Sequence, residues 1–264
     1  MINILKNIVA HKKKEIEILK EKYPITTLQK SVNYKKRTLS AIYALSKIGA
    51  SGIIAEFKRK SPSKGLFHEN ADVVNIISSY ENFGASMCSI LTDSKFFGAE
   101  ENDFHVVRKC SNLPLLRKDF IIDTYQIYET KAMGADVILL IAAILSPQKC
   151  KELAKTASSI GLEVLLEIHA EEELKHISSY VNMVGINNRN LRSFEVSLQK
   201  SIYLAEKIPS NFLKIAESGM KDYKDIVLLK KYGFQGFLIG EYFMKSDNPG
   251  FACKRIIEDL KNEN

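Results

Sequence analysis

Cysteine is scarce and scattered in this chain. Cys88, Cys110, Cys150 and Cys253 form no C-x-x-C pair, which argues against a zinc site or a disulfide framework and makes a reducing cytoplasm the expected compartment. Cys88, inside an apolar run, reads as a small core residue. Long hydrophobic runs are missing too. The longest lies within Asp136–Leu145, well short of the ~20 residues a membrane span needs. Met1–Lys14 alternates apolar and basic residues without an apolar core or a small-residue cleavage site, so no secretory signal is expected. No G-x-G-x-x-G follows the first apolar run, which counts against a dinucleotide-binding open sheet. No nucleic-acid-binding motif and no basic stripe interleaved with aromatics accompanies the net charge of +7. A nucleic-acid partner is therefore not expected, and neither is a membrane.

What is present is the composition of a soluble globular protein: 264 residues, 45% hydrophobic and 26% charged,. Many lysines sit beside glutamates in helical runs, as in His11-Lys12-Lys13-Lys14-Glu15 and Lys149-Cys150-Lys151-Glu152. Most of the positive excess reads as solvated helix faces, with a smaller share focused on a site for an anionic small molecule.

Residues 1 to about 23 have the period of an amphipathic helix, with Leu5, Ile8, Val9, Ile16 and Leu19 near one face and Pro24 as its stop,. A second helix is expected over Thr38–Ile48, with Leu39, Ile42, Leu45 and Ile48 at three-residue steps and Gly49 closing it,. From Gly52 onward, short apolar runs alternate with longer helical stretches. Strands are expected at 52–57, 85–91, 115–118, 136–142, 163–168, 183–187, 212–216 and 236–239. Their ends recur at about the period of a strand–helix unit. Ser146-Pro147 and Asn248-Pro249 punctuate helix starts; Gly84, Gly134, Gly161 and Gly233 punctuate helix ends,. Eight strands and eight helices define an α/β fold, a (β/α)8 barrel preceded by a helical extension. The expected organisation is one domain over 1–264, with residues 1–49 as the extension.

In such a barrel the chemistry sits at the C-terminal ends of the strands. Those ends carry Glu56 and Lys58; Thr92 and Asp93 with Phe96 and Phe97 after them; Lys118; Glu167 and His169; Asn187, Asn188, Arg189 and Asn190; Glu217, Ser218 and Gly219; and Gly240 and Glu241. Each has a plain structural reading. Lys118 reads as a solvated loop lysine, Glu167 and Glu217 as ion-pair partners, Phe97 as packing, and His169 as part of the start of the next helix. Three carboxylates and two lysines meeting on one rim are nonetheless costly unless they neutralise one another or hold a ligand. Ser218-Gly219 and Gly240-Glu241, with Ser61 and Lys58 reaching in, suit a phosphate. A sugar-phosphate isomerase, or an aldolase forming a Schiff base on Lys118, would draw on the same groups.

The stretch Ala55-Glu56-Phe57-Lys58-Arg59-Lys60-Ser61-Pro62-Ser63-Lys64-Gly65 resembles the first-strand signature of the indole-3-glycerol phosphate synthase family. The resemblance continues through Leu116–Phe120, Leu165–His169, Gly185–Leu191, Ala216–Gly219 and Leu238–Glu241. It spans the chain from the N-terminal helices to the last strand. Two departures, Phe57 for a smaller aliphatic and Ser197 for an aspartate, fall outside the catalytic positions. The chain ends after one barrel, as in the family's monofunctional form. The resemblance implies closure of the indole ring of a phosphorylated, carboxyphenylamino-substituted ketose, with loss of carbon dioxide and water and no metal or organic cofactor. It implies Lys118 as the acid at the ketone oxygen and Lys58 as a second acid or a clamp on the carboxylate. Glu167 serves the dehydration, while Glu56 and Glu217 tune and orient. Asn187 and Arg189 would hold the substrate's carboxylate or hydroxyls, and Phe97 the aromatic ring. Ser61, Ser218, Gly219, Gly240 and Glu241 would form the phosphate cradle. The expected assembly is a monomer or a homodimer.

Overall fold

The computed structural model describes residues 4–62, 64–68, 71–189 and 196–263. Ser63, Asn190 and Leu191, which belong to the motifs above, lie outside the described residues, as do Met1 to Asn3. The eight expected strands form: β1 (Ile53–Phe57), β2 (Met87–Leu91), β3 (Leu115–Lys118), β4 (Val137–Ile141), β5 (Glu163–Ile168), β6 (Met183–Asn187), β7 (Leu213–Glu217) and β8 (Phe234–Ile239). All pair in parallel with their neighbours in sequence, and β1 pairs with β8 to close the barrel. The fold is a (β/α)8 barrel.

Side chains of successive strand residues point to opposite faces. One set, including Ile54, Met87, Leu116, Leu139, Leu165, Ile215 and Leu238, fills the barrel interior. The alternate set, including Ile53, Cys88, Ile138, Val164 and Phe237, packs against the surrounding helices. Because both faces are buried, the strands read as continuous apolar runs in the sequence. At the C-terminal ends the same alternation turns polar residues inward in place of aliphatic ones.

The N-terminal segment packs against both ends of this cylinder. Helix α1 (Ile4–Lys22) crosses the C-terminal end, burying Ile8, Lys12 and Ile16. Helix α2 (Ala41–Ser46) is shorter than its apolar pattern predicts and closes the opposite end with Ala41 and Leu45. Its exposed first amides are met by a carboxylate, Glu163 at the start of β5, which accepts from Ala41 N at 2.9 Å and Ile42 N at 3.1 Å,. Leu39 and Ile48, read as part of the buried stripe, are exposed, and the helix ends at Lys47 rather than at Gly49. Two four-residue helices, Ile25–Leu28 and Val32–Lys35, fill the link between α1 and α2 without having been expected.

The other departure follows β5. There the expected helix is a 3-10 segment, Glu171–His176. It is held by the His176 ring, whose nitrogens lie 2.9 Å from the carbonyl oxygens of Glu173 and Leu145. The predicted caps at Ser146 and Asn248 form as expected.

Candidate active site

A cavity of about 190 Å³ opens at the C-terminal end of the barrel. Its floor is built by residues at which strands end, and three of them converge on one ammonium. Lys118 Nζ lies 3.4 Å from Glu217 Oε2, 3.6 Å from Glu167 Oε2 and 3.8 Å from Glu56 Oε2. The second lysine, Lys58, meets Glu56 Oε1 at 2.5 Å. Strands β1, β3, β5 and β7 thus contribute one inward group each, with Lys58 just beyond the end of β1.

Glycines make room for the acids. A Cβ at Gly185 would collide with the Glu217 carboxylate, and a Cβ at Gly240 with that of Glu56. Bare backbone on the neighbouring strand lets each carboxylate lie flat against the barrel wall.

Buried acids and bases packed this closely must compensate one another. Burial would raise the Glu56 carboxyl, but Lys58 and Lys118 outweigh it and hold the group below its usual range. Burial likewise would raise Glu167; Lys118, His169 and Asn187 reverse that, and it stays ionised. Glu217 is the exception. Burial and the neighbouring Glu167 charge push it up to about 8 against the pull of Lys118, because two adjacent carboxylates cannot both ionise away from water. Burial alone would lower Lys118, yet the surrounding carboxylates raise it, so it remains an ammonium. Two carboxylates, two ammoniums and one protonated acid leave the floor neutral.

The remaining predicted residues surround this floor. Asn187 at the end of β6 donates from Nδ2 to Glu167 Oε1 at 3.2 Å, and its Oδ1 accepts from Arg189 N at 3.0 Å. Arg189 and Glu241 bridge the loops after β6 and β8 at 2.6 Å. The Arg189 fork is thereby occupied by a side-chain carboxylate. Phe97 packs against Phe120 with ring centroids 6.0 Å apart, forming the apolar wall with Leu91, Ile141 and, from α1, Ile4, Leu5 and Ile8. Ser61, Ser218, Gly219, Gly240 and Glu241 line the opposite side. Ser218 has φ 65, a left-handed backbone that costs a non-glycine residue about 1 kcal/mol and concentrates at ligand-binding turns,. The Ser61 hydroxyl is sealed from solvent and has no hydrogen-bond partner among the described residues. Of the residues given a role by the resemblance, all described, only Glu217 does not line the cavity; it lies against Lys118, 1% exposed, and the strand-end residues Thr92, Asp93, Phe96, His169 and Asn188 also stay outside the lining.

Two groups escaped the sequence reading. Lys12, assigned there to a solvated run, is 2% exposed and pairs with Asp119 at 3.0 Å, Asp93 at 3.1 Å and Glu15 at 3.0 Å. It ties α1 to the loops after β2 and β3. Asp119 is also bound by Arg117, and burial of this carboxyl is outweighed by both cations, leaving it far below its usual range. The signal for Lys12 was spacing: Ile8, Lys12 and Ile16 lie at four-residue steps on one helix face. His169, read as part of a helix start, does engage that turn: its backbone N–H donates to Glu173 at 2.5 Å. Its ring, however, points inward, with Nε2 3.3 Å from Glu167 Oε1.

A closed eight-stranded barrel with acid–base groups converging at the C-terminal strand ends defines a (β/α)8-barrel enzyme. Solved structures of similar shape include tryptophan synthase subunit alpha from Legionella pneumophila (TM-score 0.60, 14% identity, 84% of this chain and 97% of that one). Another is 3-hexulose-6-phosphate synthase from Salmonella typhimurium (TM-score 0.62, 10% identity, 80% and 99%). At such identities the likeness concerns the fold. Sequence comparison goes further: residues 5–256 match the family model described as indole-3-glycerol phosphate synthase. Curated proteins of that name are 46% identical in Bacteroides thetaiotaomicron, over 99% of this chain and 100% of the relative, and 39% identical in Chromobacterium violaceum, over 97% and 98%. The chain belongs to the indole-3-glycerol phosphate synthase family.

Proposed function

We propose that this chain converts 1-(2-carboxyphenylamino)-1-deoxyribulose 5-phosphate to indole-3-glycerol phosphate by ring closure, decarboxylation and dehydration. The observation that carries the reading is the Lys118 ammonium held among Glu56, Glu167 and Glu217 at 3.4–3.8 Å on the floor of the cavity.

Ring closure makes a carbon–carbon bond between the ring carbon bearing the carboxylate and the ketone carbon. Negative charge grows on the ketone oxygen, and a fixed ammonium answers it by charge and by proton donation. Lys118 is that ammonium in our assignment, with the protonated Glu217 behind it as a proton reserve. Lys58, at the rim and already paired with Glu56, meets the substrate carboxylate until it leaves as carbon dioxide. The electron pair left behind by carbon dioxide restores the benzene ring; the ionised Glu167 then takes a proton from the former C1 methylene while an ammonium protonates the departing hydroxyl, and loss of water completes the pyrrole ring. Arg189 and Asn187 hold the substrate's polar groups, for which Arg189 exchanges Glu241 for a ligand oxygen. Phe97 and the α1 aliphatics face the aromatic ring. The phosphate lies against Ser61, Ser218, Gly219 and the backbone at Gly240 and Glu241, where a dianion uses the Ser61 hydroxyl, which lacks a partner among the described residues,.

Every group in this scheme comes from one chain, so the site is compatible with a monomer or a homodimer working in the cytoplasm. We treat 1–264 as one domain whose residues 1–49 form the helical extension. Among the described residues no helix is long and apolar enough to cross a membrane.

The test is direct. The chain contains no tryptophan, so indole fluorescence appearing with added substrate, together with released carbon dioxide, reports the product against a tyrosine background. Lys118→Ala should lower turnover by at least about 1,000-fold, the scale of losing acid catalysis with its electrostatic support, while substrate affinity changes little. Absence of both signals with the unaltered protein would overturn the function. Full activity of the variant would overturn the role of Lys118. A borohydride-trapped adduct on Lys118 would favour a Schiff-base mechanism instead.

A further inference from the structure

His169 follows the last residue of β5 and, two positions beyond Glu167, shares its inward face,. The side chain is 12% exposed, and both ring nitrogens are sealed from solvent without a hydrogen-bond partner among the described residues. Imidazole always has at least one N–H to satisfy, and a buried donor left unpaired costs roughly 1–3 kcal/mol. The two groups facing the ring are both carboxylates: Glu167, with Oε1 3.3 Å from Nε2, and Glu173, with Oε2 3.9 Å from Nδ1. Glu173 is already committed, accepting the backbone amides of His169 at 2.5 Å and Ala170 at 3.3 Å. The free capacity therefore points at Glu167.

We propose that His169 is a positioning residue for Glu167, donating from Nε2 to Oε1 so that only Oε2 remains to exchange a proton with the reactant. The proposal rests on the function argued above. The two oxygens of Glu167 already differ in their surroundings. Oε1 faces Asn187 Nδ2 at 3.2 Å and His169 Nε2 at 3.3 Å. Oε2 faces Lys118 at 3.6 Å. Occupying Oε1 with two neutral-capable donors fixes the carboxylate plane and prevents it from swinging both oxygens onto the ammonium. Contacts of this kind commonly lie off hydrogen-bond geometry in the free enzyme and tighten around bound substrate. The charges facing the pair are Lys118, Glu217 and Glu56 from the floor and Glu173 from the turn after β5. Burial would lift the Glu167 carboxyl; Lys118, then His169, then the Asn187 amide hold it down. Losing one donor to Oε1 thus makes Glu167 harder to ionise.

The experiment compares His169→Leu, which removes the donor, with His169→Gln, which retains an N–H. The expected result for His169→Leu is a kcat about tenfold lower, or about 1.4 kcal/mol at the transition state, with KM within about twofold. Its kcat/KM profile should have the acidic limb displaced upward by about one pH unit, since an ionised base is needed and its proton now leaves later. His169→Gln should recover most of kcat and return the limb. A merely structural histidine would leave the limb in place, or would leave Gln no better than Leu; either outcome overturns the proposal. A second arm needs no turnover: in histidine-labelled protein, Glu167→Gln should move the ring nitrogen resonances of His169, and unmoved resonances overturn the contact. If the unaltered protein made no indole product, the functional reading would fall on that control alone, while the resonance measurement would still judge the His169–Glu167 contact.

Discussion

Glu217→Gln tests the proton assignment of the floor, because glutamine has the shape of the protonated acid and cannot ionise. An ordinary glutamate carboxyl titrates near 4.5, and this one is pushed up to about 8. A group whose folded-state value is raised supports folding fully below the unfolded value, and that support is lost as pH rises through the folded one. Between pH 4.5 and pH 7 the unfolded chain gives up a proton that the folded site retains, and stability declines. At about 1.4 kcal/mol per pH unit, the decline by pH 7 is roughly 3 kcal/mol. Sharing of one proton with Glu167 makes this an upper figure. Glu217→Gln removes the pH dependence, so the variant should match the parent near pH 4.5 and exceed it by up to about 3 kcal/mol at pH 7. At about 2–4 °C per kcal/mol for a chain of this size, that is a Tm gain of up to roughly 6–12 °C. The assay is thermal unfolding of both proteins from pH 4.5 to 8.5, read by circular dichroism. A Tm difference that stays flat with pH, or that favours the parent at pH 7, would refute the protonated-acid assignment.

Two further outcomes are expected. Gly185→Ala drives a Cβ into the Glu217 carboxylate and to 3.2 Å from Leu165, so urea unfolding should register a loss of about 1–3 kcal/mol and kcat should fall as Glu217 is displaced. Lys12→Met keeps the volume but strands Asp93 and leaves Asp119 with Arg117 as its remaining cation; a loss of about 3 kcal/mol in the same assay should come with a raised KM and a smaller change in kcat, because α1 supplies cavity wall rather than reacting groups.

The strands were legible because a barrel buries both faces of its sheet, and such a sheet writes its strands as continuous apolar runs that stop at a charge. Glu56, Glu167 and Glu217 stood out for the same reason: each is the polar residue at which such a run stops, and Lys118 follows one residue after its own run stops at Arg117. Side-chain direction was harder to read. Lys12 stands among basic or titratable neighbours in His11–Lys14, and composition does not distinguish the one turned inward; the step from Ile8 to Ile16 does. His169 precedes three glutamates that suggest a helix start, and that local signal obscured the two-residue period shared with Glu167. The apolar stripe assigned to α2 held at Leu45 but failed at Leu39 and Ile48, which lie outside the short helix; Ala41 and Ala44 are buried beside Leu45 in their place. No spacing rule reports that Gly185 leaves its neighbour's acid a place to lie.

The attachment of the extension to the barrel base constrains how the chain matures on the ribosome. Leu39 finds its acceptor, Asp136, 97 positions later, and Ser40 finds Glu163 after 123. Synthesised first, α1 meets Asp93 and Asp119 before the midpoint of the chain, but the carboxylates that fix α2, Asp136 and Glu163, emerge only in the second half. Contacts so distant in sequence form slowly and leave intermediates with uncovered apolar surface. The nascent protein therefore carries a leading segment whose attachment at the barrel base is completed only past the middle of translation, before the cylinder closes.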